Sequence, residues 1–101
     1  MISTILNNTN IFSQMSLRII KEQELIVGPL AWEEAKKVPG IQMVDPQKGS
    51  INIEYDPKNT IDKLVAQYER LFGRASHEVC REAVQEITSK MSPEDVPSSL
   101  K

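Results

Sequence analysis

From Ser50 to Tyr55 apolar and polar side chains alternate without a break. Ile51, Ile53 and Tyr55 fall on one face, and Asn52 and Glu54 on the other. That is the period of a strand with one buried side. Ile41–Val44 precedes it as a second β-type run. Asp45-Pro46-Gln47-Lys48-Gly49 lies between them, with Pro46 preset for a turn and Gly49 able to take positive φ. The two runs form an antiparallel hairpin, and its apolar face needs a cover. Residues 61–72 supply one: Ile61, Leu64, Val65, Tyr68, Leu71 and Phe72 recur at helical spacing and form one wide apolar face. Asn59-Thr60 is the expected N-cap of that helix, and Gly73 its end.

Upstream, Leu17-Arg18-Ile19-Ile20 and Glu24-Leu25-Ile26-Val27 are β-type runs around Lys21-Glu22-Gln23. They read as two short strands or one bent strand. Gly28-Pro29 then opens a short helix with a stripe of Ala31, Trp32, Ala35 and Val38, which Pro39-Gly40 ends. Downstream, Ser76 can cap a further helix with Val79, Cys80, Ala83, Val84, Ile87 and Met91 on one side. Residues 1–14 carry no charge and many Asn, Ser and Thr, the composition of a flexible extension, with Ser3–Leu6 as a possible edge strand. Ser92–Lys101 reads as a disordered tail.

A chain of 101 residues is one domain with one modest core. Charged residues make up 26% of it with a net charge of −2, and the two signs are interspersed. This argues against a nucleic-acid footprint or an anionic membrane surface as partner. No apolar run reaches the roughly 18 residues of a membrane span. The N-terminus lacks the charged and apolar regions of a secretory signal. With one cysteine, Cys80, no internal disulfide can form. A cytoplasmic location is expected.

The order of signals in the middle of the chain has a family likeness. Val38-Pro39-Gly40-Ile41, Val44, Gly49, Ile51-x-Ile53-x-Tyr55-Asp56-Pro57 and Thr60-Ile61-x-x-Leu64 together resemble a heavy-metal-associated, copper-chaperone-like domain over residues 16–75. The resemblance implies a ferredoxin-like βαββα(β) sandwich of class α+β. A C-terminal helix would follow or replace the last strand, with residues 75–80 open to either state. On that basis residues 15–91 form the domain, 1–14 the extension and 92–101 the tail.

The departures bear on function. Where the family carries a Met-x-Cys-x-x-Cys loop whose thiolates hold a soft metal, this chain has Val27-Gly28-Pro29-Leu30-Ala31-Trp32. No metal ligand carries over. His77 and Cys80, at i and i+3 on one helix, could share a face. They are two ligands where a closed zinc site needs four, so only a dimer could complete the set. Otherwise Cys80 is a small core residue and His77 a rim group. As a Cys–His nucleophile the pair lacks a third member to orient the imidazole. Glu33-Glu34 and Asp62 could serve acid–base chemistry only in an apolar or like-charged site; on solvent faces they solubilise. Met1, Met15, Met43 and Met91 do not cluster with Cys80. Trp32 stands where the family binds metal, either as core against the sheet edge or as an exposed anchor for a partner.

These features together predict a cytoplasmic, non-enzymatic module without cofactor. It would bind a protein partner or a second copy of itself. The competing expectation is a copper- or zinc-handling protein that uses His77 and Cys80 across a dimer.

Overall fold

The structure is a computed structural model that describes residues 3–45, 50–53 and 55–101, with side chains described for residues 11–42, 51–53 and 55–101. Helix α1 spans Ser3–Val27, α2 Leu30–Lys36, α3 Pro57–Phe72 and α4 Arg74–Thr88. Strands β1 (Ile41–Asp45) and β2 (Ser50–Ile53) form the one sheet among the described residues. Two 3-10 turns, Pro93–Asp95 and Ser98–Leu100, complete the chain.

The ferredoxin-like sandwich is therefore overturned: the described residues form four helices and a two-stranded hairpin that packs on α1 and α2, and the expected first strand is helix. The physical reason lies in residues 12–23. Phe12, Met15, Ser16, Ile19, Ile20 and Gln23 are all buried, a set that repeats at i, i+3, i+4, i+7, i+8 and i+11. Adjacent Ile19 and Ile20 both have no exposure. A strand would send them to opposite faces, whereas on a helix both fit one wide stripe. The weak helix propensity of isoleucine costs some tenths of a kcal/mol per residue, and burying each side chain contributes about 1.5–3 kcal/mol. Burial wins. Residues 11–14, expected in a flexible extension, lie within this helix, and Phe12 packs into the core.

Gly28 terminates α1 with φ +73°, its N–H donating to the Glu24 carbonyl at 2.8 Å. Pro29 then leads into α2, which buries Ala31 and Ala35 and packs on α1, α3 and β1. Helix α2 matches the expected element. The hairpin does too, pairing Ile41 with Ile53, Gln42 with Asn52 and Met43 with Ile51. The register then shifts by one residue before Asp45 pairs with Ser50. Ile41, Ile51 and Ile53 are buried while Gln42 and Asn52 face out, and β2 packs on α1. Residues 46–49 of the expected turn, and Glu54, lie outside the described residues. Tyr55, expected on the buried face, is 56% exposed.

Helix α3 begins earlier than predicted. Asp56 is its N-cap, in the left-handed region at φ +41°, and Pro57 opens the first turn. Thr60 is inside the helix, its hydroxyl donating to the Tyr55 carbonyl at 2.9 Å. Ile61, Leu64, Val65 and Tyr68 are buried, and the Tyr68 hydroxyl donates to the Ala31 carbonyl at 2.7 Å. One residue, Gly73, separates α3 from α4. Ser76, the expected cap of α4, is interior and buried instead. The 92–101 segment, expected to be disordered, folds against α3 and α4 with Val96, Pro97 and Leu100 buried. Asp62 accepts hydrogen bonds from the backbone N–H of Ser99 and the hydroxyls of Ser98 and Ser99.

Gly40 carries the tightest turn. It has φ +97°, and a Cβ there would sit 2.6 Å from the Thr60 hydroxyl oxygen. Positive φ and the clash act together, so Gly40→Ala is expected to lose about 2–3 kcal/mol of stability in urea unfolding. At Gly28, φ is +73° but nothing lies within 4 Å, so the same change costs only the backbone component, about 1 kcal/mol. Equal losses at the two sites would mean that the turn does not approach α3.

Candidate interaction surface

Helices α1 and α4 run antiparallel, and a small buried polar network fixes their register. The Gln23 amide Nε2 donates to the Ser76 carbonyl at 3.0 Å and to Cys80 Sγ at 3.4 Å. In return the Ser76 hydroxyl donates to Gln23 Oε1 at 3.3 Å. Gln23 and Cys80 have no exposure, and Ser76 only 5%. A buried amide left without partners costs about 1–3 kcal/mol, so sliding α1 along α4 by a turn is disfavoured. Gln23 has no direct cue in the sequence, because the flanking residues read as strand.

With the register set, the outer flanks of α1 and α4 form a groove. At one end it is lined by Leu25, Ile26, Val79 and Ala83 and flanked by Glu22 and Glu82. Leu25 is 79% exposed and Ile26 61%. Arg18 and Glu86 cross the groove at mid-length, 3.4 Å apart and both largely exposed, so the bridge contributes little and can exchange partners. Beyond it the groove continues as a hollow of about 250 Å³ lined by Ile11, Ile87 and Met91, with Lys90 at its rim.

The residues singled out from the sequence lie elsewhere. Trp32 is half-buried on α2, packed against the core, and lines neither part of the groove. His77 and Cys80 share α4 but meet different neighbours. His77 Nδ1 lies 2.9 Å from Glu69 Oε1, and Nε2 lies 2.6 Å from the Ser99 carbonyl oxygen. Cys80 faces α1, and burial pushes its thiol up to about 11 against the relief from Gln23. A thiol so protonated is a poor nucleophile and a poor metal ligand. Among the described residues no group of three or more His, Cys, Asp or Glu side chains could hold a metal ion.

Glu34, expected on a solvent face beside Glu33, is 8% exposed. It links α2 to α3, receiving hydrogen bonds from Lys37 at 3.1 Å and Gln67 at 2.7 Å. Lys37 first, then Gln67, holds its carboxyl below the usual range, so it stays ionised and is no proton donor near neutral pH. Asp62 serves the C-terminal turns. Burial raises the Tyr68 hydroxyl, which is already engaged with Ala31. No helix among the described residues is long and apolar enough to cross a membrane. No family model, curated protein or solved structure matches the chain.

The Cys80 environment gives a signed pH effect. Unfolding returns the thiol to its ordinary value near 9.0, so between about pH 9 and 11 the native state holds a proton that the unfolded chain releases. Stability attributable to Cys80 is present below pH 9 and falls by on the order of 2–3 kcal/mol as pH approaches 11. Cys80→Ala removes that component together with its share in raising Tyr68, whose shift comes mainly from burial and persists in the variant. Denaturant unfolding at intervals across this range is expected to show a shallower decline for the variant; parallel declines would place the thiol in water.

Proposed function

We propose that the chain is a non-enzymatic interaction module that binds a protein, a second copy of itself included, through the α1–α4 groove. The observation that carries this is the exposure of Leu25 and Ile26 side by side at the end of a helix whose other apolar residues from Ile11 onward are largely covered. Core packing does not use them. An apolar pair beside an apolar trough, rimmed by charges, is the arrangement of a docking site with a desolvated centre and a polar edge. Metal handling through His77 and Cys80 is the other reading. It would require Cys80 to leave α1 and His77 to leave Glu69 and Ser99, and no contact favours it.

The test places a photo-crosslinking amino acid at Leu25 and, as a control, at exposed Lys63 on α3 in cells producing the chain. A covalent protein adduct is expected at position 25 and none at 63; no adduct at 25 would rule the surface out. Trp32→Ala is expected to lower the melting temperature by several degrees because it removes core contacts. Leu25→Ser with Ile26→Ser is expected to leave the melting temperature nearly unchanged. If instead Trp32→Ala left stability unchanged, the anchor role would belong to α2.

A further inference from the structure

Resting on that reading, we infer that the occupant of the groove is a second copy of this chain, docked antiparallel about a two-fold axis through the Arg18–Glu86 bridge. The argument is one of self-complementarity. Along α1, Ile11 precedes Arg18 by seven residues and Leu25 follows it by seven, each an axial distance of about 10 Å. On the α4 side, Glu82 lies four residues before Glu86, about 6 Å along the helix, and Lys90 lies four residues after it, just past the end of α4 at Thr88. Rotation by half a turn about the bridge therefore brings each end of the groove onto the other.

The two ends differ in complementary ways. One presents the protruding apolar pair Leu25 and Ile26 with the acidic Glu22 and Glu82. The other presents the hollow of Ile11, Ile87 and Met91 with the basic Lys90. In the pair, Leu25 of each copy enters the hollow of the other, and Glu82 of each meets Lys90 of the other. At the axis, each Arg18 lies within reach of two Glu86 carboxylates. Such an isologous contact closes after two copies. A partner with one uniformly basic face would match the Glu22–Glu82 end but place like charges against Lys90 and Arg18.

A contact restricted to two helix flanks is at the small end of specific interfaces, so the dissociation constant is expected on the order of tens of micromolar. Sedimentation velocity of the full chain over roughly 5–500 µM brackets that affinity. The expected result is a monomer–dimer equilibrium. Leu25→Glu with Ile26→Glu removes it at unchanged helical circular dichroism. Glu82→Lys, which sets two cations together, weakens it about tenfold, and adding Lys90→Glu restores it. A wild-type chain that stays monomeric throughout, or a dimer that ignores both sets of changes, overturns the inference. If the chain is monomeric but the Leu25 crosslinker captures a different protein, the second copy falls and the docking surface stands. If there is neither dimer nor adduct, both fall.

Discussion

A helix that carries a full apolar stripe must find other surfaces to cover it, and in this chain everything else is arranged to do so. Helix α1 lays Phe12, Met15, Ile19 and Ile20 against the remaining elements, and α2, β2, α3 and α4 all pack on it. The hairpin depends on this contact most, since two strands alone are marginal in water; Ile51 and Ile53 gain their burial beside α1. The Gln23–Ser76–Cys80 network then selects one register among those the apolar stripe would allow. Apolar burial supplies most of the stabilisation, and the buried amide supplies the specificity.

The central part of the fold was legible because its signals are local. The alternation at 51–53, the Pro39-Gly40 stop and the apolar face of α3 each follow from a few neighbouring residues, and the structure has them, except that Leu71 of that face is exposed. The N-terminal third is not legible, for an equally physical reason. Leu17–Ile20 and Glu24–Val27 are short β-type runs when taken alone, and the helical period becomes visible only when Phe12, Met15 and Ser16 are joined to them. Dividing the chain at residue 14, on grounds of composition, cut that pattern in two. The tail is not legible because its three apolar residues, Val96, Pro97 and Leu100, are too sparse to form a period; tertiary contacts with α3 and α4 decide its state.

The candidate surface was less legible than the fold. Leu25 and Ile26 are conspicuous only once α1 is a helix, because a strand reading would bury one of them. Trp32, Cys80 and His77 drew notice as residue types that often carry function, yet each is engaged inside the fold: Trp32 with the core, Cys80 with Gln23, His77 with Glu69 and Ser99. The two most exposed large apolar side chains, Leu25 and Ile26, lie instead beside a groove whose charges reverse from end to end. Exposed apolar groups cost solubility, and a chain with a net charge of −2 has modest electrostatic protection against association.

The most direct measurement is NMR assignment of the chain with attention to residues 11–27. Uninterrupted helical Cα shifts across that segment, together with nuclear Overhauser effects from the Gln23 side-chain amide to Cys80 Hβ, are the expected result. Extended-type shifts at 17–20 and 24–27, with cross-strand effects to residues 51–53, would contradict it and restore a sheet where α1 now stands.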